Sequence, residues 1–158
     1  MRRSDREIKD HDEILDVIRR CDVCRLALHD EPYPYIVPLN FGFDEISGKL
    51  TLYFHSALTG HKLDRIAADP RAAFEMDTSH VLLYSEEKQM CTMAYESVIG
   101  FGTIHFLEEE EKYKALKKLM DHYYPGEEKS FPMSTVAHTA VFSLEVESLT
   151  GKRRVASL

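Results

Sequence analysis

The sequence predicts a mainly β domain, in which an antiparallel barrel or sandwich carries a few peripheral helices. Short runs rich in β-branched and aromatic residues recur along the 158 residues, and turn residues separate them at close intervals. Helical periodicity appears between strands only at the periphery of this pattern, which argues against a βαβ sheet. Because a chain of this length buries about one good core, we expect a single domain over residues 1–158.

Three segments have the periodicity of amphipathic helices. The first, about 11–21, has apolar residues at i, i+3, i+4 and i+7, and Asp10 or Asp12 can cap it. The second runs from about His61 to Ala68, with Pro70 beyond its end. The third is an inserted helix at about 108–124, whose acidic first turn suits the helix dipole.

The strand predictions include two irregularities. Pro38 lies within a predicted strand and has no N–H for the ladder, so it demands an edge, a bulge or an opening of the sheet. Gly100 and Gly102 favour a bend or bulge in another strand. Turns are predicted at 30–34 and 44–48. The predicted strands are 23–29, 35–43, 49–55, 72–76, 81–84, 95–107 and 139–149.

Composition and charge exclude several classes of protein. Apolar residues at 44% and a net charge of −7 indicate a globular protein with no nucleic-acid partner, because such binding depends on Lys and Arg. We find no apolar run of about 18 residues and no secretory signal, so we expect a cytoplasmic protein without a membrane partner.

Cysteine and histidine usage argues against a metal site. The Cys21–Cys24 pair has the spacing of a redox or half-zinc motif, but no second pair follows it, so we interpret it as structural. Cys91 precedes a strand and is either a reactive or a buried thiol. The eight histidines show no HExxH spacing, and we expect no metal.

The strongest local signal is a strand that leads through small and hydroxyl residues into a helix start. Thr59, Gly60, His61 and Lys62 stand at that start, where unpaired N–H groups and the dipole favour a phosphate. Ser56 adds a hydroxyl. The alternative that these residues allow is a capped surface helix with solvated His and Lys side chains.

Three ordered blocks resemble a known family. They are Phe54-His55-Ser56-Ala57 with Gly60-His61-Lys62, then Tyr35 to Phe41 upstream, and Tyr95 to Gly102 downstream. Together they resemble the nitroimidazole-resistance branch of the pyridoxamine-phosphate-oxidase-like flavin proteins, over most of the chain from Arg2 onward. The resemblance implies an antiparallel split β-barrel that binds FMN, with the flavin at the interface of a homodimer.

The resemblance also implies roles for individual residues. His55 lies where the family has a residue beside the substrate, and it is the candidate catalytic residue. Ser97 resembles a position that reaches the flavin across the dimer interface. The cofactor-binding residues that the resemblance implies are Val37, Pro38, Leu39, Asn40, Phe54, His55, Ser56, His61, Lys62 and Ser97.

One departure narrows the implied activity. Tyr35 and Asn40 stand where the oxidase members have Arg and Lys, which argues against pyridoxamine-phosphate oxidation. The nitroimidazole-resistance branch implies a flavin-dependent oxidoreductase that reduces a small nitroaromatic or quinone-like electron acceptor. Two alternatives remain: a non-catalytic flavin- or haem-binding sensor on the same barrel, and a small β-barrel interaction module with no cofactor.

Overall fold

The computed structural model describes residues 3–155, and residues 1, 2 and 156–158 of the expected single domain lie outside this range. The described chain contains eight strands and four α-helices, preceded by a 3₁₀ turn at Ser4–Arg6. The strands are β1 (Glu7–Ile8), β2 (Cys24–Leu28), β3 (Tyr35–Leu39), β4 (Gly42–Ile46), β5 (Lys49–Ser56), β6 (Arg71–Ser85), β7 (Met90–Phe106) and β8 (Ala140–Arg154). The helices are α1 (His11–Arg20), α2 (His61–Ala68), α3 (Glu109–Tyr123) and α4 (Met133–Ala137).

All strands pair antiparallel in one sheet of order β3-β2-β6-β7-β8-β5-β4, with β1 added beside β8. The sheet has two edges, β3 and β4, which are consecutive in the chain. Only Asn40 and Phe41 join them, and the three steps from Leu39 to Gly42 span at most about 11 Å. The edges therefore meet at one end while the sheet stays open, which confirms the antiparallel split barrel.

The core fills the inside of this open barrel. Alternate residues of β5 point inward, so Leu52 and Phe54 are buried while Tyr53 and His55 face the other side of the sheet. Helix α1 covers one end of the barrel with Ile14, Val17 and Ile18, as its periodicity predicts. A smaller cluster lies under α3 and α4 on the outer face, and it contains Ala115, Leu116, Val136 and Val141.

Helix predictions agree closely with the structure. Asp10 caps α1 by accepting the backbone N–H groups of Asp12 and Glu13, and α2 has the predicted bounds. The inserted helix α3 begins with a capping box at Glu108 and Glu111. The short helix α4 and the two-residue strand β1 were not predicted, because segments of this length carry almost no periodic signal.

One strand prediction and one turn prediction were wrong at their boundaries. The predicted strand 35–43 is two strands that belong to opposite edges, since the chain crosses the split at Asn40 and Phe41. The predicted turn 44–48 shortens to Ser47 and Gly48, because Asp44 to Ile46 pair with β5.

The predicted strands 72–76 and 81–84 are one strand, β6, interrupted by an irregularity between Thr78 and Val81. Pairing with the long β7 on both sides of the polar segment between Thr78 and Val81 keeps β6 a single strand. The predicted irregularity near Gly102 is confirmed as a register shift between Phe101 and Gly102. Pro38 lies in edge strand β3, where a residue without a backbone N–H is tolerated.

The C-terminal end of α3 holds in place the segment Asn40 to Phe41, which connects the two edge strands β3 and β4. The Tyr123 hydroxyl donates to the Asp22 carbonyl at 2.7 Å and accepts the Phe41 N–H at 3.1 Å. A Cβ on Gly42 would lie 2.4 Å from the Leu119 nitrogen, so only glycine allows α3 to approach this closely. The position of the split therefore depends on a helix inserted late in the chain.

Candidate functional site

Strand β5 ends at Ser56 and the chain enters α2 at His61 after four residues. Gly60 precedes the helix with φ of 142°, a backbone conformation that side-chain-bearing residues rarely adopt. Among residues 3–155, no side chain caps α2, so neither Thr59 nor Ser56 satisfies its first N–H groups. The Ser56 hydroxyl instead donates to the Ala57 carbonyl at 2.9 Å. The start of α2 thus remains available to an external acceptor.

His55 and Lys62 form the electrostatic centre of this region. The His55 Nδ1 atom is buried and has no hydrogen-bond partner within the described chain. Burial, together with the nearby charge of Lys62, lowers the pKa of His55, which favours a neutral imidazole at neutral pH. Burial also lowers the pKa of Lys62. Within residues 3–155, no carboxylate lies within ion-pairing distance of Lys62, so a half-buried cation and an unsatisfied imidazole share one site.

His61, beside Lys62, is engaged by the protein itself. Its Nε2 atom lies 2.6 Å from the Asp30 Oδ2 atom, and the Arg65 Nη1 atom donates to the Asp30 Oδ1 atom at 3.1 Å. The Tyr35 ring meets the His61 ring edge-on, with centroids 5.0 Å apart. Hydrogen bonding to His61 lowers the pKa of Asp30. The turn between β2 and β3 is therefore hydrogen-bonded to the first residue of α2.

The predicted ring-facing segment is at the open edge of the barrel. Val37 and Leu39 are half-buried against the core, whereas Pro38 and Asn40 are exposed. Because β3 pairs with β2 and with no other strand of the described chain, one side of its backbone faces the split. That arrangement suits a strand whose polar backbone atoms contact a ligand.

The Phe54 side chain faces away from this region, and Ser97 lies apart from it on the single chain. The Phe54 side chain is fully buried and stacks on Phe142 at 5.4 Å, so only its backbone is accessible to a ligand. Ser97 pairs with Lys152 of β8, while His55 pairs with Val141 of the same strand. The two β8 positions are eleven residues apart, about 36 Å of extended strand. Within one chain, Ser97 is not part of the site formed by His55 and Lys62.

Asp30 and Arg65 are members of the candidate site that were not predicted from the sequence. Asp30 was interpreted as an ordinary turn residue, and nothing local links it to a helix 31 residues later. The only available signal was the i, i+4 spacing of His61 and Arg65, which puts both side chains on one face of α2.

The cysteines and the surface cavities lie elsewhere. Cys21 and Cys24 are buried, and burial raises the pKa of both thiols, that of Cys21 to about 12, as expected of inert structural cysteines. Cys91 is exposed. Five surface cavities are lined by residues other than the predicted cofactor-binding set. In the described part of the chain, no group of three or more His, Cys, Asp or Glu side chains is placed to hold a metal ion.

Residues 3–155 include no helix that is both long and apolar enough to cross a membrane.

Comparison with known proteins identifies relatives of this chain. The model of the family described as pyridoxamine 5'-phosphate oxidase matches residues 10–153. A solved structure of a proposed 5-nitroimidazole antibiotic resistance protein from Bacteroides thetaiotaomicron is 30% identical, with a TM-score of 0.81 and coverage of 93% of this chain and 86% of that one. No curated protein matches the sequence.

Two more distant structures share the fold. An FAD- and haem-binding protein from Mycobacterium smegmatis has a TM-score of 0.79 at 20% identity, covering 94% of this chain and 73% of that one. A flavocytochrome from Azotobacter vinelandii has a TM-score of 0.80 at 17% identity, covering 99% and 72%. At these identities the likeness concerns the fold alone.

Proposed function

The chain belongs to the pyridoxamine 5'-phosphate oxidase family, and on that premise we propose that it is an FMN-dependent reductase of small nitroaromatic or quinone-like acceptors. The resemblance to the nitroimidazole-resistance branch is confirmed by the 30% identity to the Bacteroides protein, and it supports the acceptor class. The observation that carries the proposal is Lys62, a half-buried cation without a carboxylate partner in the described chain, beside the unsatisfied Nδ1 atom of His55.

These residues fit a flavin mononucleotide. A half-buried ammonium group costs free energy unless an anion compensates it, and a terminal phosphate is such an anion. The uncapped start of α2 adds N–H groups and the positive end of the helix dipole. The open edge of β3, at Val37 to Asn40, supplies backbone groups for the isoalloxazine ring. One lysine and one helix start match a single phosphate group.

The protein groups orient and polarise, and the cofactor transfers electrons. When bound, a flavin takes up electrons from a reduced donor and delivers them to the acceptor. His55 stays neutral at neutral pH, so it accepts or donates a hydrogen bond without adding a charge. In this proposal His55 holds the acceptor at the ring and Lys62 holds the phosphate.

A homodimer completes the proposed site. Ile36, Ile99 and Phe101 are exposed large apolar residues, from 46% to 62% accessible, on the outer face of the sheet. A shallow cavity of about 300 Å³ beside them is lined mainly by Ala27, Ile36, Ala73 and Ile99. Arg25 on this face is already paired with Glu75 and Asp77. A second copy would cover this largely neutral, apolar surface and bring its own Ser97 toward the flavin.

The spectrum of the purified protein tests the cofactor. We expect a yellow protein whose blue-light absorbance bleaches on reduction, and whose chromophore, released by denaturation, is FMN. A Soret band would favour the haem-binding alternative. A colourless protein that gains no thermal stability from added FMN would refute the proposal.

Activity is tested separately under anaerobic conditions. We expect the FMN-loaded protein, supplied with a reduced nicotinamide nucleotide or dithionite, to reduce a 5-nitroimidazole faster than free FMN at the same concentration. An FMN-loaded protein no faster than free FMN with nitro and quinone acceptors would leave the non-catalytic alternative.

The dimer is tested by sedimentation velocity. Phe101→Glu puts a charge into the proposed interface, and we expect it to yield monomers with weakened FMN binding. Ile46→Glu is the matched control, because Ile46 is 68% exposed on edge strand β4, away from that face. Equal behaviour of the two variants would exclude this face as the interface.

A further inference from the structure

Asp30 is a partly buried acid in a place where an acid is unexpected. Its side chain is only 16% exposed, and it lies against the helix start that the proposed function assigns to a phosphate. A carboxylate near a phosphate site repels the ligand. Its presence therefore needs a reason other than charge.

The contacts of Asp30 give that reason. One oxygen bonds the His61 Nε2 atom at 2.6 Å, and the other accepts from the Arg65 Nη1 atom at 3.1 Å and from the Glu31 N–H at 2.9 Å. His61 and Arg65 are one helical turn apart on the same face of α2. A single carboxylate thus holds both the first residue and the middle of an eight-residue helix.

Asp30 also connects the two halves of the proposed flavin site. It lies in the turn between β2 and β3, and Tyr35, the first residue of β3, contacts the His61 ring edge-on. Three residues later β3 reaches Pro38 at the open edge, the segment assigned to the ring. We call the contacts of Asp30 with His61 and Arg65 the clasp. The clasp fixes the position of α2, and so of Lys62, relative to β3, the strand assigned to the isoalloxazine ring.

We propose that Asp30 is a positioning residue for the flavin phosphate, which acts through His61 and Arg65 and never contacts the ligand. The inference rests on the proposed function. Because the His61 Nε2 atom is committed to Asp30, the Nδ1 atom is the ring nitrogen left for a ligand, and Lys62 remains the unpaired cation. Positional control outweighs the Coulombic repulsion that the carboxylate adds.

The direction in which one substitution changes FMN affinity separates positioning from Coulombic repulsion. Asp30→Asn keeps the shape of the side chain and removes its charge. If Coulombic repulsion dominates, this variant binds FMN more tightly than the wild type. If positioning dominates, we expect FMN affinity to fall about tenfold, equivalent to about 1.4 kcal/mol. Riboflavin, which has no phosphate, should lose less than about twofold, since the effect is confined to phosphate binding.

The matched control is Asp64→Asn. Asp64 is exposed in the first turn of the same helix and makes no side-chain hydrogen bond or ion pair to any residue in 3–155. Its substitution removes the same unit charge without opening the clasp, so FMN affinity should stay equal or rise slightly. Arg65→Gln releases one arm of the clasp while Asp30 keeps its bond to His61. It should lower FMN affinity about threefold, equivalent to about 0.65 kcal/mol.

The measurement is the ratio of FMN to riboflavin affinity for the full chain, by fluorescence titration, with thermal unfolding of the flavin-free protein alongside. A lowered ratio in Asp30→Asn, with a normal ratio in Asp64→Asn, supports the proposal. An unchanged or raised ratio in Asp30→Asn overturns it. If Asp30→Asn does not fold, a wild-type ratio in Arg65→Gln overturns it equally. If the wild type binds no flavin, the proposed function fails first, and the two failures are thereby distinguished.

Discussion

Lys62→Ala isolates the charge that is expected to hold the cofactor phosphate. Lys62 has no carboxylate partner within residues 3–155, so its removal breaks no ion pair there. A hydrogen bond to a charged group contributes about 2 kcal/mol, and its loss should weaken FMN binding about thirtyfold. The apparent affinity of the wild type should also fall as salt rises, and that of the variant should respond less, because part of the lost term is Coulombic.

The same substitution should leave the flavin-free fold intact. Burial lowers the pKa of Lys62, so the folded state disfavours the ammonium form relative to the unfolded chain at any pH where the lysine is charged. Alanine removes that penalty and is a good helix former, so we expect the free energy of unfolding to change by less than about 0.5 kcal/mol.

The assay is fluorescence titration of FMN against the wild type, Lys62→Ala and Lys49→Ala. Lys49 is exposed at the opposite end of β5 and controls for the change in net charge. If Lys62→Ala binds FMN as tightly as Lys49→Ala, the phosphate is not held at the start of α2 and the reasoning is wrong.

Three further predictions concern catalysis and stability. Replacing His55 with Gln should lower the turnover of the nitro acceptor more than tenfold while leaving FMN affinity within about threefold. Because burial lowers the pKa of His55, the acid decline of wild-type turnover, as the imidazole gains a proton, should have its midpoint below the ordinary imidazole pKa of about 6.5, and the Gln variant should lack this decline. Tyr123→Phe leaves the Phe41 N–H and the Asp22 carbonyl without their partner, so chemical denaturation should show a loss of about 2 kcal/mol; an unchanged midpoint would show that water replaces the hydroxyl. Glu96 accepts hydrogen bonds from Arg20, Arg153 and Ser79, and chiefly the bond from Arg20 lowers the pKa of Glu96 to about 2. The stability that these bonds contribute is therefore fully present above about pH 4.5, the ordinary pKa of a glutamate, and is lost as the pH falls toward 2. Glu96→Gln should therefore destabilise the protein at pH 7 by about 2 kcal/mol, the contribution of a hydrogen bond to a charged group, and should flatten the loss of stability in acid. An unaltered loss of stability in acid would contradict the assignment.

Local patterns predicted the parts of the fold that local physics determines. The bounds of α2 and the irregularity at Gly102 follow from periodicity and backbone chemistry, and both are confirmed. Of the alternatives that the sequence left open, the structure selects Asp10 over Asp12 as the cap of α1 and an edge strand for Pro38. The crossing at Asn40 and Phe41 was missed because two short strands in succession look like one strand when their partners are unknown.

The candidate site was predictable only in part, for a related reason. His55 and Lys62 lie in one segment of eight residues, so a local sequence motif contains both and could predict them together. Asp30 contributes through a fold-dependent contact, and no pattern of spacing marks such a contact in a single sequence. The roles of Ser97 and of the homodimer remain predictions from the resemblance, since the single chain keeps Ser97 far from His55.

Pro38 affects which strands can pair with the open edge of the barrel. An open sheet exposes two rows of unpaired backbone groups, which invite either closure of the split or addition of a strand from another molecule. Proline at the fourth position of the five-residue edge strand β3 removes one donor from that row, so no regular ladder can form along it. The residue thus disfavours edge-to-edge aggregation and leaves the open side of β3 without a paired strand.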